Sequence, residues 1–245
     1  MRVSVELVPR NKIDLEGQLG QVQNYFPSVD TINVPDIHRF EMRSWEACTI
    51  ARKYVPHVIP HIRAMDVNPE APLAMANELQ ATGVTEVVVI SGDMPAEMSQ
   101  AVYGTSTLTV IKKFRDELPG VRIYGALDPY RQGFQAEIEY AHQKLEAGAC
   151  GLFTQPFFDL RLLDIYSELL SGVQIFWGFT TITSQRSMRY WQARNRAIFP
   201  VDFRPNLEWS RRLAGEAFSL LQSRNGNAYF MPIGIDVADY LAGII

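Results

Sequence analysis

Cysteine is nearly absent from this chain: 245 residues hold only Cys48 and Cys150. Two thiols so far apart argue against a disulfide framework and a thiolate zinc centre, and they fit a reducing compartment. No apolar run approaches the ~20 residues of a membrane span, and Glu6 interrupts the first apolar stretch where a signal peptide would need an unbroken one. No excess of basic charge is present either. The net charge is −4 with the basic residues scattered, which argues against a nucleic-acid partner. Glycine-rich phosphate fingerprints of the dinucleotide or P-loop type are missing, as are nucleophilic serine or cysteine motifs. Low-complexity segments and linker-like stretches of Gly, Ser or Pro are missing too. The expectation is one soluble, cytoplasmic domain over residues 1–245, outside the membrane.

What is present is a rhythm. Short β-branched runs at residues 2–8, 30–34, 57–62, 86–90, 121–126, 151–154, 173–178 and 227–231 read as strands. Between them lie helical patterns at 14–26, 44–54, 69–82, 106–118, 134–147, 160–170, 186–196, 207–223 and 236–242. Ser44 reads as a helix N-cap, and Gly83 and Gly148 sit where C-caps belong. Eight strands, each followed by helix, in a chain of this length predict an α/β fold: a single (βα)8 barrel rather than an open sheet.

Barrels of this kind place their chemistry at the C-terminal ends of the strands. Those ends are polar here: Glu6; Asn33, Asp36 and Arg39; His61, Arg63 and Asp66; Ser91-Gly92-Asp93; Asp128 and Tyr130; Gln155 and Asp159; Thr180, Thr181 and Ser184. Glu6 stands out, because a carboxylate inside an apolar strand is costly to bury unless paired. It reads as a general acid with a raised pKa, or as the structural partner of Arg63 or Arg131. The Gly92-Asp93 pair reads equally well as a turn, and His61 as a satisfied mouth histidine, since no second ligand at metal spacing accompanies it. Cys48 reads as packing. Phe157, Phe158, Trp177 and Phe179 fill the core or stack on a flat ligand.

Taken together, Ser4-Val5-Glu6-Leu7-Val8-Pro9, Pro60-His61 with Asp66, and Ile90-Ser91-Gly92-Asp93-Met94-Pro95 resemble the methylenetetrahydrofolate reductase family. So do Lys144-Leu145-Glu146-Ala147-Gly148-Ala149, Thr154-Gln155-Pro156-Phe157-Phe158-Asp159 and the final strand around Tyr229-Phe230-Met231. The resemblance implies a (βα)8 barrel that interconverts 5,10-methylenetetrahydrofolate and 5-methyltetrahydrofolate, usually with FAD and NADH or NADPH. It implies Glu6 as the acid that opens the five-membered ring. It places Asp93 between pterin and flavin, and Gln155 on the pterin, with Phe158 and Phe179 as aromatic contacts. It places His61, Ser91, Gly92, Tyr103, Gly104 and Lys144 around the flavin. The implied ligand is a small folate, and a homo-oligomer or a partner subunit is consistent with it.

The departures concentrate on the flavin side. Ser91-Gly92-Asp93 replaces the family's Arg-Gly-Asp, and Ala126-Leu127-Asp128-Pro129-Tyr130 replaces its Tyr-Pro-Glu-x-His pattern. Tyr140 stands where a small polar residue would border the flavin's tail. Gln185 takes the place of the stacking aromatic after strand seven. The reading taken is a reductase with FAD, favoured by family habit; the alternatives are a flavin-free reductase taking hydride directly from NAD(P)H and a non-redox methylfolate-binding subunit of a methyl-transfer system.

Overall fold

A computed structural model describes residues 1–94 and 101–245; Pro95 of the motif above lies outside them. Eight parallel strands close on themselves: β1 (Val3–Glu6), β2 (Thr31–Val34), β3 (His57–Arg63), β4 (Glu86–Ile90), β5 (Arg122–Leu127), β6 (Gly151–Pro156), β7 (Ile175–Thr180) and β8 (Asn227–Met231). β1 pairs with both β2 and β8, so the two ends of the chain seal the barrel. The helices are α1 (Lys12–Tyr25), α2 (Ser44–Ala51), α3 (Ala76–Thr82), α4 (Thr107–Glu117), α5 (Phe134–Ala147), α6 (Leu160–Leu169), α7 (Gln185–Asn195), α8 (Leu207–Ser223) and α9 (Val237–Leu241). The (βα)8 expectation holds. No described helix is long and apolar enough to cross a membrane.

Period-two alternation sorts each strand into two faces. Val3, Val5, Ile32, Val87, Val89, Trp177, Phe179 and Phe230 join the core between strands and helices. Ile59, Val88, Tyr124, Phe153, Phe176, Tyr229 and Met231 pack together as a separate cluster in the lumen. Phe153 stacks on Phe176 at 4.2 Å, with Tyr124 and Tyr229 edge-on to it. Below this aromatic layer, Arg2 donates to both carboxylate oxygens of Glu86 and to Thr31, plugging the bottom. The lumen is therefore a filled core and not a pore.

Three local expectations change. Ser44 is the first helical residue and not the cap; its hydroxyl donates to His61 O, and its N–H donates to Asp36. Residues 69–82 form helix only from Ala76. Pro69 and Pro72 restrict the residues before them, and the Leu73 N–H is taken by the Glu117 carboxylate. Strand seven is shifted by two residues to Ile175–Thr180, and β6 carries an extra residue between Phe153 and Pro156 against it. Gly178 answers this bulge, since a Cβ there would stand 2.6 Å from Thr154 O.

α8 is the helix that packs on β7 and β8. α7 is inserted ahead of it and buries, among the described residues, only Trp191. Trp191 belongs to a third cluster, with Tyr130, Phe158, Ile182, Phe203 and Trp209. The C-terminal end of α7 reaches the loops after β4 and β5: Arg194 lies 3.6 Å from Asp93, and Arg196 donates to Arg131 O.

Candidate active site

Glu6 ends β1, facing the lumen, and is 9% exposed. Tyr229, opposite it on β8, donates its phenol O–H to Glu6 Oε2. Neither Arg63 nor Arg131 pairs with it: Arg63 binds Asp66 and Asp93 O, and Arg131 approaches Ser91. Burial without a cation raises the Glu6 pKa to about 7, and the phenol's hydrogen bond holds it from rising further. The Tyr229 phenol, pushed well above its ordinary range by burial and by Glu6, stays protonated and remains the donor.

His61 Nε2 lies 3.8 Å from Glu6, but this is no ion pair. Burial drives the imidazole pKa down to about 3, so the ring is neutral. Asn33 Nδ2 sits 3.4 Å from the same nitrogen, and the Asn33 carbonyl oxygen accepts from Ser4 Oγ. With Nδ2 donating, Nε2 is an acceptor and the ring proton sits on Nδ1. Glu6 thus stands among neutral partners, able to carry a proton at neutral pH and give it up toward the mouth. The sequence reading missed Tyr229 and Asn33 as partners. Their inward registers on β8 and β2 were the signal available.

The other candidate residues scatter. Gln155 is half-buried at the top of β6, beside the bulge. Asp93 is not brought to Glu6: its side chain is 83% exposed at the rim, because the turn after Gly92 carries it out. Gly92 has φ +85°, and a Cβ there would meet Met65 and Arg63, so this glycine is explained by the turn. Phe179 faces the helical layer against Phe230, one residue out of register with the lumen, and does not reach the mouth. Phe158 is buried under Trp191, Phe199 and Phe203 as the centre of the third cluster.

Of the residues expected around a flavin, Ser91, Gly92 and Tyr103 gather around Met65: its N–H donates to Ser91 O, its side chain lies against Gly92, and its carbonyl accepts from Tyr103 N–H. His61 lies inside the lumen, whereas Tyr103 and Gly104 lie outside it, with the Tyr103 N–H tied to Met65 O. Lys144 is 2% exposed between α5 and β5; its ammonium donates to Ala126 O at 2.5 Å and lies 4.0 Å from Glu137. Tyr140 covers it, with Lys144 Nζ 3.9 Å from the ring centroid, and the Tyr140 hydroxyl bonds to Thr107, tying α5 to α4. The ammonium expected to face a flavin is thus engaged with backbone and with Glu137.

Fold and site together define a (βα)8 barrel with a proton-holding carboxyl buried at the C-terminal mouth. The family model for methylenetetrahydrofolate reductase matches residues 23–208, and the chain belongs to that family. Glu6 and Tyr229 lie outside the matched span. The 5,10-methylenetetrahydrofolate reductase of Escherichia coli is 28% identical over 103 residues, 42% of this chain and 35% of that protein. The Buchnera aphidicola enzyme of the same name is 26% identical over 140 residues, 53% of this chain and 48% of that one. The alignments thus span a third to a half of these relatives. Among solved structures, a Clostridium thermocellum protein described as binding two copies of 5-methyl-5,6,7,8-tetrahydrofolic acid superimposes with TM-score 0.65 at 12% identity, over 98% of this chain and 93% of that one. An oxaloacetate acetylhydrolase superimposes with TM-score 0.58 at 8% identity, over 95% and 75%. At these identities the likeness is one of fold.

Proposed function

We propose that this protein is a cytoplasmic reductase, one catalytic barrel over residues 1–245, that converts 5,10-methylenetetrahydrofolate to 5-methyltetrahydrofolate with hydride taken directly from NADH or NADPH. The observation that carries the reading is Glu6, a carboxyl poised to hold a proton near neutrality inside the mouth of a family member. In the reaction the Glu6 proton goes to N10 of the folate as the bond from N10 to the bridging carbon breaks, leaving an iminium at N5. Hydride from the reduced nicotinamide adds to that carbon, giving the methyl group and the oxidised nicotinamide. Solvent then returns a proton to the Glu6 carboxylate, so one proton and one hydride are consumed per turnover. Tyr229 holds the carboxyl in place throughout. Gln155, at the top of β6, is the group proposed for the pterin edge, since an amide both donates and accepts. The direct route is preferred to one through FAD because Lys144, implied by the resemblance as a flavin contact, is engaged with Ala126 O.

Replacing Glu6 by Gln tests this. The variant should lose turnover, by roughly 100-fold or more for a general acid, while 5-methyltetrahydrofolate still binds. Normal turnover in Glu6→Gln would remove the acid and the mechanism with it. A second reading, a non-redox methylfolate-binding subunit, is favoured by the ligand of the Clostridium thermocellum neighbour. It requires wild-type protein to bind methylfolate without oxidising NADH or NADPH in the presence of methylenetetrahydrofolate.

A further inference from the structure

Ser4 and Glu6 stand two residues apart on β1, so they share its lumen face, and Asn33 on β2 is the register partner of Glu6. Ser4 and Asn33 are fully buried, and His61 on β3 is 8% exposed. A hydroxyl closed off from water has to give its proton to something. Among the described residues the Ser4 hydroxyl has one partner, Asn33 Oδ1, and it donates there. That fixes the Asn33 amide. With its oxygen toward Ser4, its Nδ2 turns to His61 Nε2, 3.4 Å away. An amide nitrogen only donates, so Nε2 accepts and the neutral ring carries its proton on Nδ1. Uncharged groups on β1 and β2 thus decide which nitrogen of His61 is bare.

The bare nitrogen is the one beside the acid. His61 Nε2 lies 3.8 Å from Glu6 Oε2, the oxygen that already accepts from Tyr229. In the other tautomer Nε2–H would stand next to that oxygen as a second donor. Donors to a carboxylate favour its charged form, and each one makes the proton easier to lose. Among the described residues, the titratable groups against Glu6 are Tyr229 from β8 and His61 from β3. Arg63, two residues beyond His61, is taken by Asp66 and by Asp93 O, and Arg2 by Glu86 and Thr31 at the bottom of the barrel. The tautomer of His61 therefore decides whether Glu6 meets one donor or two.

We propose that Ser4 and Asn33 are positioning residues for the Glu6 acid: they lock the His61 ring in the tautomer that cannot donate to Glu6, and so leave the carboxyl its proton. The proposal deepens the reading of Glu6 as the acid of the reduction and rests on it. It gives His61 a part distinct from the flavin contact that the resemblance implies.

The test is NMR of the isotope-labelled intact protein, which needs no substrate. Ring-nitrogen shifts of the four histidines report the tautomer, with His61 assigned through His61→Phe, and the carboxyl-carbon shift of Glu6 reports its titration. Wild-type His61 should show a bare Nε2 and a protonated Nδ1, with Glu6 titrating at about 7. Asn33→Leu, which has no donor, should release the ring to the Nε2–H tautomer and lower the Glu6 midpoint by about one pH unit or more, the strength of a hydrogen bond to a charged group. Adding His61→Phe to Asn33→Leu removes the new donor and should bring the midpoint back up. The descending limb of kcat/KM should move with the midpoint in each protein, whereas a packing role for Asn33 would leave both in place. An Nε2–H ring in wild type would overturn the proposal, and that result depends on no variant folding. So would an unmoved Glu6 midpoint in folded Asn33→Leu. A midpoint that follows Asn33 and His61 in a protein that reduces no methylenetetrahydrofolate would keep the tautomer lock and remove the reductase.

Discussion

Tyr229→Phe removes one hydroxyl group from the lumen and little else. The ring keeps its edge-on contact with Phe153 at 5.2 Å, so the aromatic layer stays packed. What is lost is the donor to Glu6 Oε2. Two opposing effects set the Glu6 pKa near 7: burial raises it and the phenol lowers it. Without the phenol only burial remains. A hydrogen bond to a charged group contributes about 1.5–3 kcal/mol, which corresponds to roughly one unit or more of pKa. Because the proposed reduction uses protonated Glu6 as its acid, kcat/KM should fall as pH rises through the Glu6 pKa. The descending limb should lie near pH 7 in wild type and about a unit or more higher in Tyr229→Phe. At a pH a unit above the wild-type limb, about a tenth of wild-type Glu6 keeps its proton, so the variant retains more of its own maximum there. The assay is the pH profile of methylenetetrahydrofolate reduction, followed by NADH absorbance, with circular dichroism to confirm folding. A limb at the same pH in both proteins would refute the argument that Tyr229 sets the acid.

Stability should carry the same signature. Folded Glu6 holds a proton that the unfolded chain releases above pH 4.5, so its contribution is intact below that and is lost as pH rises through about 7. That amounts to about 3 kcal/mol over the window, and in Glu6→Gln the corresponding slope should vanish from denaturant titrations run across it. Gly178→Ala, whose new methyl would meet Thr154 O and Met231 Cε, should cost about 1–3 kcal/mol by thermal unfolding. Phe158→Ala should lower the melting temperature, at a cost of about 3–5 kcal/mol, rather than raise the folate KM selectively, since Phe158 is a cluster centre. Wild-type protein incubated with FAD and desalted should show no flavin absorption, and a retained band would restore the flavin-dependent reading.

The barrel was legible in the sequence because the strand signal is redundant: eight β-branched runs at regular spacing each report the same architecture. Glu6 was legible for the opposite reason, as one charged residue violating an apolar strand. Its partner was not. Tyr229 looks like any strand aromatic until closure of the sheet places residue 229 against residue 6. Asp93 and Phe179 were placed by motif, and motifs do not report orientation. A positive φ at Gly92 turned the first outward, and a single step of β7 register turned the second into the helical layer. The chain from Ser4 through Asn33 to His61 was invisible for a different reason: Asn33 and His61 stand at strand ends, but only the register of β1, β2 and β3 brings them together.

Because Glu6, the proposed acid, sits on the first strand and its hydrogen-bond donor on the last, the site exists only once both strands have paired. During synthesis β1 emerges first and must wait for β8, with 223 residues between Glu6 and Tyr229, before the carboxyl is enclosed. Contacts of such sequence separation form late, after the entropy of closing the intervening chain has been overcome. Until then Glu6 is an ordinary, ionised surface carboxylate that donates no proton near neutrality. On the proposed mechanism, truncated chains and barrels opened at the β1–β8 seam should therefore be inert, and appearance of the raised pKa marks the closing step of folding.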